Sequence, residues 1–223
     1  MMETINLVNE EAISLLNECL WFTEPHVTDC VRPLKLDWKK EREYWLSEKI
    51  KNRCIDDFTK HEGFPDQCVG WGFQHNTVKY ITKDEKLAEQ IAQKYNDINE
   101  KMRTKFMFKT TALFTVYPPG GFIGWHNNAN ASAYNFIFTW SETGDGWFKY
   151  ANPVDRKTIT IQDTPGWQCK AGYFGSYSDP PEKLCYHAAS ADCMRMTVAF
   201  VLDRSDLSLG FQKEIKEELE SYK

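Results

Sequence analysis

Residues 117–128 read Tyr-Pro-Pro-Gly-Gly-Phe-Ile-Gly-Trp-His-Asn-Asn, and this stretch decides how the second half of the chain is interpreted. It ends an apolar run, so we predict that His126 lies near the end of a strand. Because residues i and i+2 of a strand point to the same face, His126 and Asn128 are expected to reach one point together. His187, also near a predicted strand, could supply a third ligand. Two histidines and one oxygen donor on one face of a metal are typical of non-haem iron sites.

Short runs of β-forming residues alternate with turn residues from Phe106 onward. The predicted strands are residues 110–117, 134–140, 146–150, 157–161, 172–177 and 196–202. The segments between them contain glycine and proline clusters that interrupt strands, namely Pro118-Pro119-Gly120-Gly121, Gly144-Asp145-Gly146, Pro165-Gly166 and Pro180-Pro181. Many short strands at this spacing predict a β-barrel or a β-sandwich.

The first hundred residues are predicted to be mainly helical. Asn9 is a candidate N-cap for the first helix, because its side chain can accept a hydrogen bond from the first turn. Asp37 precedes a second, charged helix that is predicted to extend to Cys54. Thr82 and Glu85 have the spacing of a capping box at the start of a third helix.

Helices packed around one β core predict a single α+β domain. The length of 223 residues and the hydrophobic share of 42% are sufficient for one buried core. The predicted parts are helical support over residues 1–105, a β core over residues 106–204 and a C-terminal region, 205–223, with a helix from about residue 209 to residue 222.

Composition limits the classes of partner and compartment. The net charge is −5 and the basic residues are dispersed, so nucleic acid is not an expected partner. No apolar run approaches the roughly 20 residues that span a bilayer, so no membrane association is expected. The seven cysteines are odd in number and include no Cys-x-x-Cys, and no signal-like segment precedes them. They are expected to be reduced thiols in a cytoplasmic protein. Nothing in the pattern predicts an oligomeric state.

The ordered motifs of the β region resemble one enzyme superfamily. The motifs are Tyr117-Pro118 with two glycines, His126-Asn127-Asn128, Gly144-Asp145-Gly146, Gly172-Tyr173-Phe174, His187-Ala188-Ala189 and Arg195. Together they resemble the double-stranded β-helix, or jelly roll, of 2-oxoglutarate- and Fe(II)-dependent dioxygenases, and among these the prolyl hydroxylases, including the oxygen-sensing type. The resemblance covers roughly residues 106–203 and extends only loosely to the helices before them. Each motif alone is unspecific, whereas the whole set in this order is fairly specific.

The resemblance implies a role for each polar residue. Fe(II) would be held by three side chains, those of His126, Asn128 and His187. The co-substrate 2-oxoglutarate would be bound by Arg195, Thr197 and Tyr117. Arg195 suits the distal carboxylate because a guanidinium fork forms two parallel hydrogen bonds. The implied reaction is oxygenation, in the form of a hydroxylation, of a peptidyl (prolyl-like) or small-molecule substrate with release of succinate and CO₂. The family also allows ascorbate as a further cofactor.

Asn128 departs from the family pattern, which has aspartate at this position. The amide can bind the metal weakly through its carbonyl, or a carboxylate such as Asp145 or Glu142 can replace it from another strand. Two further alternatives are a halide in the ligand position, as in related halogenases, and a site that is not catalytic. Those halogenases typically have glycine or alanine there, and asparagine fills much of the room that these leave. Oxygenation therefore ranks first, ahead of halogenation and of a non-catalytic binding protein.

Simpler structural interpretations apply to the same residues. His126 and His187 could be hydrogen-bonded core residues without metal, and Arg195 could belong to a surface ion pair. The three other histidines lack a motif of this kind and are expected to be structural or exposed, namely His26, His61 and His75.

Overall fold

The computed structural model describes residues 2–32, 34, 38–57, 63–74, 77–128, 132–177, 179–202 and 207–222. The β-strands in these ranges are β1 (Glu3–Ile5), β2 (Cys68–Val69), β3 (Trp71–Gly72), β4 (Thr110–Tyr117), β5 (Phe122–His126), β6 (Ala133–Ser141), β7 (Gly146–Ala151), β8 (Thr158–Gln162), β9 (Gly166–Phe174), β10 (His187–Ala191) and β11 (Arg195–Leu202). The α-helices are α1 (Glu10–Asn17), α2 (Pro25–Thr28), α3 (Trp38–Trp45), α4 (Glu48–Asp56), α5 (Val78–Ile81), α6 (Glu85–Phe106) and α7 (Leu207–Leu219). Among the described helices, none is both long and apolar enough to cross a membrane.

The strands form two antiparallel sheets. The larger sheet has the order β1-β9-β6-β11-β4-β3, and the smaller sheet has the order β2-β5-β10-β7-β8. As described, the two sheets do not close into a barrel. β11 lies inside the larger sheet between β6 and β4, and β10 lies inside the smaller sheet between β5 and β7. Arg195 begins β11 and His187 begins β10, so both candidate residues start on central strands.

The side chains of β11 alternate between the two faces of the larger sheet. Met196, Val198 and Phe200 are fully buried in the main apolar cluster, which also contains residues of α6 such as Ile91. The intervening residues point to the other face of the sheet. A second cluster unites Ala199 and Ile137 of the larger sheet with Phe148 and Ala189 of the smaller one. The sheets therefore face each other, with helices covering the outer face of the larger sheet.

The helical region confirms one predicted cap and corrects two other predictions. The Asn9 side chain accepts a hydrogen bond from the Ala12 amide at 2.8 Å and caps α1, as expected. The predicted second helix is two helices, because the chain turns at Ser47 and the Ser47 hydroxyl accepts from the Ile50 amide. Its expected start at Asp37 lies outside the described residues. The cap of α6 is Asp84, whose carboxylate accepts from the Leu87 amide, so the predicted capping box does not form.

Thr82 has a different local role from the predicted one. Its hydroxyl accepts from the Asp84 amide at 3.1 Å and donates to the Cys30 carbonyl at 3.2 Å. A short polar side chain can fix a turn in this way, and sequence spacing alone does not separate that role from a helix cap.

The β region follows the prediction in most of its bounds. β4 has the predicted bounds, and β6, β7, β8 and β11 begin or end within one residue of them. β9 is the exception, because it begins at Gly166 and pairs with β6 along its whole length instead of starting at residue 172. Gly166 has a φ of +84°, a left-handed conformation that glycine adopts without strain. The Pro165-Gly166 pair therefore precedes and begins a strand instead of only separating two strands. The C-terminal helix α7 begins and ends slightly earlier than predicted.

Candidate active site between the two sheets

The two sequence-predicted histidines are neighbours across β5 and β10. His126 and His187 are directly opposite in the antiparallel ladder, and their ring centroids are 4.1 Å apart. Both residues are buried, with exposed fractions of 4% and 6%. Residues 61 positions apart in the chain are thus brought within reach of one point.

Both imidazoles are oriented by main-chain carbonyls. His126 Nδ1 lies 2.8 Å from the Gly124 carbonyl oxygen, and His187 Nδ1 lies 2.8 Å from the Cys185 carbonyl oxygen. In the neutral rings these contacts place the proton on Nδ1 and the lone pair on Nε2. Carbonyls that accept from the second ring nitrogen are the usual support of metal-binding histidines. This hydrogen bonding makes Nε2 the nitrogen suited to bind a metal.

The electrostatic environment keeps His187 neutral. Burial, together with the neighbouring His126, lowers the pKa of His187 well below its usual value, against a smaller opposite effect of the Cys185 carbonyl. A neutral imidazole is the form that binds metals, so proton competition at His187 is weak at neutral pH.

Asn128 lies beyond the end of β5, and strand alternation does not place it. Its φ is +64°, in the left-handed region where asparagine is enriched. The expectation that His126 and Asn128 share one strand face is therefore wrong, because β5 ends at His126. Asn128 nevertheless lines the same cavity as both histidines, so a local turn brings it to this place.

The carboxylates considered as replacements for Asn128 lie elsewhere. Asp145 is exposed and accepts a hydrogen bond from the Thr143 hydroxyl, and Glu142 is exposed and accepts from the Met194 amide. Neither lines the cavity. Across the part of the chain that the structure describes, no group of three His, Cys, Asp or Glu side chains is placed to hold a metal. The site near the histidines thus offers two imidazoles and an amide.

A cavity of about 370 Å³ lies between the sheets and is lined by both histidines. Its walls are mostly apolar and come from the two facing sheets, with Leu113, Ile137, Phe148, Phe174 and Ala199 among them. Its polar lining includes Tyr117, Arg195 and Thr197, in addition to the histidines and Asn128. All six residues predicted for the site therefore border one cavity.

Arg195 is buried in an ion pair, which corrects the interpretation of it as a surface residue. Its exposed fraction is 1%, its Nε donates to Asp163 Oδ2 at 2.7 Å, and its Nη1 donates to Thr197 Oγ1 at 2.6 Å. The second Asp163 oxygen lies 3.4 Å from Lys170 Nζ. Both partners are also buried. Two cations and one carboxylate form a charge cluster beside the cavity, and we call Arg195, Asp163 and Lys170 the charge cluster below.

The hydroxyl groups around Arg195 include two without partners. Tyr117 is opposite Arg195 in the ladder, and its ring lies 5.6 Å from the guanidinium carbon. Thr139 is opposite Thr197 on the other side of β11. Within the described residues, neither the Tyr117 hydroxyl nor the Thr139 hydroxyl meets hydrogen-bond geometry with any partner. Buried polar groups are normally satisfied. Of these two hydroxyl residues Tyr117 also borders the cavity, so its hydroxyl can be reached by a polar ligand there.

Asp163 and Lys170 were not among the residues predicted for the site. Both residues lie between the predicted strands 157–161 and 172–177, in a segment for which no strand was predicted. The signal available in the sequence was the Pro165-Gly166 pair, which opens β9 and brings both residues under Arg195. Because β9 was predicted to start after Lys170, the sequence did not predict which face of the sheet the Lys170 side chain occupies.

Gly146 leaves the space that the Asp163 carboxylate occupies. A Cβ atom at Gly146 would lie 2.6 Å from Asp163 Oδ2, the oxygen that accepts from Arg195, and 3.1 Å from the Ala191 Cβ. We expect Gly146→Ala to displace this carboxylate and to lower the free energy of unfolding by about 1–3 kcal/mol, the usual effect of overpacking. Urea denaturation measures it. Gly210→Ala is the control, because no atom lies within 4 Å of its Cβ position, and it should be neutral or stabilising. Equal stability of Gly146→Ala and wild type would contradict this packing.

Of the three other histidines, His26 is described and does not line the cavity. His26 is half exposed and lies 3.1 Å from Glu24, which fits the expectation of a structural or exposed residue. His61 and His75 lie outside the described residues.

Comparisons with known proteins give weak similarities. No family model matches the chain, and no curated protein matches its sequence. Among solved structures, a prolyl-4-hydroxylase from Pseudomonas putida is similar with a TM-score of 0.39 and 10% identity, covering 91% of this chain and 92% of that chain. The dioxygenase for auxin oxidation 1 from Arabidopsis thaliana, in complex with 2-oxoglutarate, is similar with a TM-score of 0.24 and 13% identity, covering 77% of this chain and 80% of that chain. At this level of similarity a function has to be inferred from the side chains of the site.

Proposed function

We propose that this protein is a 2-oxoglutarate- and Fe(II)-dependent oxygenase whose two sheets form a double-stranded β-helix. The observation that carries the proposal is one cavity bordered at once by a buried histidine pair and by a buried arginine. A metal site and a carboxylate site side by side are what a metal-chelating dicarboxylate requires. Neither a core histidine pair nor a structural ion pair alone accounts for both features around a cavity.

The residues present fit a divalent metal. His126 and His187 would bind it through Nε2, since their Nδ1 atoms face main-chain carbonyls. Asn128 would add a neutral carbonyl oxygen from the cavity wall. This neutral set of donors leaves coordination positions open but binds less tightly than a set with aspartate, because no negative charge offsets the cation. When bound, Fe(II) and 2-oxoglutarate supply the oxidising chemistry that consumes O₂ and releases succinate and CO₂.

The residues present also fit the distal carboxylate of 2-oxoglutarate. Arg195 would provide a charge-assisted pair, and the unpaired Tyr117 hydroxyl would donate a further hydrogen bond. Burial raises the pKa of Tyr117 above its usual value, so its hydroxyl keeps its proton and remains a donor at neutral pH. Thr197 holds Nη1 of Arg195 at 2.6 Å and thereby orients the guanidinium toward the cavity.

The remaining apolar walls would receive the substrate. Side chains such as Leu113, Phe148 and Phe174 make the cavity that the histidines border apolar. An apolar surrounding of the reaction site would favour oxidation of a substrate C–H bond over side reactions with water. We propose a peptidyl (prolyl-like) or small-molecule substrate that is hydroxylated at a C–H bond.

Turnover of 2-oxoglutarate without substrate tests the proposal. Purified protein with Fe(II), ascorbate and O₂ is expected to form succinate slowly, and removal of Fe(II) should stop the reaction. Succinate is quantified by mass spectrometry, with His26→Ala as a control that should turn over like wild type. If no succinate forms while 2-oxoglutarate and Mn(II) also fail to bind, the protein is a non-catalytic binding or structural protein instead.

Asn128→Asp is expected to raise the affinity for Fe(II) by roughly tenfold or more, because a carboxylate adds a full charge next to a divalent ion. Aspartate, like asparagine, tolerates the left-handed backbone at this position, so the variant should fold normally. Competition with a metal-sensitive dye measures the affinity. An unchanged affinity would show that the side chain of residue 128 does not bind the metal.

The same variant separates oxygenation from halogenation. The missing carboxylate is the observation that favours a halide ligand, and a halogenase should depend on chloride and lose that dependence in Asn128→Asp. An oxygenase should form succinate at the same rate with chloride and with a chloride-free buffer. Products of a candidate substrate are then separated by mass, since hydroxylation and chlorination add different atoms.

A further inference from the structure

We propose that Asp163 and Lys170 are positioning residues of the co-substrate site, in which Asp163 fixes the orientation of Arg195 and the proton of Lys170 sets the affinity for 2-oxoglutarate. This inference rests on the proposed function, since it concerns the same cavity. It assigns roles to two buried residues that bind neither the metal nor the co-substrate.

Asp163 fixes the edge that Arg195 presents to the cavity. Its Oδ2 accepts from Nε of Arg195 at 2.7 Å, and its own amide donates to the Gly146 carbonyl at 2.9 Å, which anchors the loop before β9. Because Asp163 accepts from Nε and Thr197 accepts from Nη1, the planar guanidinium is held in one orientation. A preorganised cation of this kind binds a carboxylate without a further loss of side-chain entropy.

Lys170 determines the net charge beside the cavity. With Lys170 protonated, two cations and one carboxylate give the charge cluster a net charge of +1, which complements one carboxylate of 2-oxoglutarate. With Lys170 neutral, Arg195 and Asp163 cancel and the net charge is zero. Loss of this proton should therefore weaken binding of the dianion, even though Arg195 itself stays charged.

The surroundings of Lys170 limit which groups control its proton. The charged or titratable side chains that act on it are Asp163 from the loop before β9, Arg195 from β11 and the adjacent Cys169. The residues opposite it in the ladder, Ile137 on β6 and Thr4 on β1, do not titrate. Burial is the largest influence and lowers the pKa of Lys170 to about 8, while Asp163 acts in the opposite direction.

The folded protein holds this proton at a cost in stability. An unfolded chain keeps a lysine proton up to about pH 10.5, whereas the folded protein releases it near pH 8. Between these two pH values the unfolded state binds more protons, so the free energy of unfolding rises as the pH is raised. Lowering the pH through 8 removes this contribution again. At neutral pH the buried ammonium thus destabilises the fold. A destabilising buried charge next to a cavity is a sign of a functional site.

The pH dependence of 2-oxoglutarate binding tests the inference. Dissociation constants are measured by calorimetry from about pH 6.5 to pH 9.5, without O₂ and with Mn(II) in place of iron. The carboxylates of 2-oxoglutarate stay ionised throughout this range. We expect the wild-type dissociation constant to rise roughly tenfold between about pH 7 and pH 9 as Lys170 loses its proton. A wild-type affinity that stays constant up to pH 9.5 would overturn the inference without any variant.

Lys170→Met removes the charge at nearly constant side-chain volume. It should bind 2-oxoglutarate at pH 7 about as weakly as wild type binds it at pH 9, and its affinity should no longer change with pH. Lys170→Gln, which can still donate to Asp163, serves in its place if the methionine variant does not fold. Lys149→Met is the matched control, because Lys149 lies against Trp147 and does not border the cavity, and it should keep the wild-type profile.

The outcomes separate this inference from the proposed function. If wild type binds 2-oxoglutarate but the Lys170 variants keep its affinity and pH profile, Lys170 has a structural role only and the inference is wrong. If wild type does not bind 2-oxoglutarate at any pH, the proposed function itself is wrong. A merely structural lysine would change the melting temperature but not the slope of affinity against pH.

Discussion

Replacing Arg195 with leucine is expected to abolish 2-oxoglutarate binding and to lower the free energy of unfolding by about 3–5 kcal/mol, the usual effect of removing one partner from a buried ion pair. The Arg195 and Asp163 side chains are 2% and 0% exposed, so solvent cannot replace the lost partner. Lys170 still pairs with Asp163, at 3.4 Å, which keeps the loss toward the lower end of this range. Calorimetry with 2-oxoglutarate and urea denaturation measure the two effects.

Two further variants make the Arg195 result specific. Arg103→Leu removes a partly exposed arginine 3.9 Å from Glu100 and should change stability by less than about 1 kcal/mol. Arg195→Lys keeps the charge but not the fork, so it should fold better than the leucine variant and bind 2-oxoglutarate only weakly. Wild-type affinity in Arg195→Leu would refute the assignment of this residue as the carboxylate anchor.

Alanine at His126 or at His187 is expected to eliminate the rise in melting temperature that Mn(II) or Fe(II) causes in wild type. A ligand at 100 times its dissociation constant stabilises the native state by about 2.7 kcal/mol, and without the imidazole this contribution is lost. The metal-free variants should also be less stable by roughly 1–3 kcal/mol, because each buried ring donates to a main-chain carbonyl that would lose its partner. Thermal unfolding with and without metal measures both quantities.

The control for the histidine variants is His26→Ala, which removes a half-exposed histidine far from the cavity in the chain. It should keep the full metal effect. Loss of stability in His126→Ala and His187→Ala, combined with no metal effect in wild type, would mean that the two histidines are core residues.

The sequence predicted the components of the site better than their supports. His126 and His187 were predicted from their places near strand ends, and the roles of Tyr117, Arg195 and Thr197 were implied by the resemblance of the ordered motifs to the dioxygenase superfamily. Those strands pair in register, so that Tyr117 is opposite Arg195 and His126 is opposite His187.

The ion pairing of Arg195 could not be predicted in the same way. Asp163 lies in the loop before β9, and Arg195 begins β11. Only the assembled larger sheet places these two strands on either side of β6. The interpretation of Arg195 as part of a surface ion pair predicts little loss of stability in Arg195→Leu, whereas its buried partners predict a large one. Asn128 was misplaced for a related reason, since a single left-handed residue ends the alternation on which its orientation was inferred.

A crystal structure of the protein, from crystals grown without O₂ in the presence of Mn(II) and 2-oxoglutarate, would show whether His126 and His187 bind a metal beside the co-substrate. Anomalous scattering identifies the manganese independently of the surrounding density. We expect a manganese peak at coordination distance from Nε2 of both His126 and His187, with 2-oxoglutarate chelating it and its distal carboxylate on Arg195. A cavity that remains without manganese at saturating concentrations, or manganese bound away from the two histidines, would contradict the account.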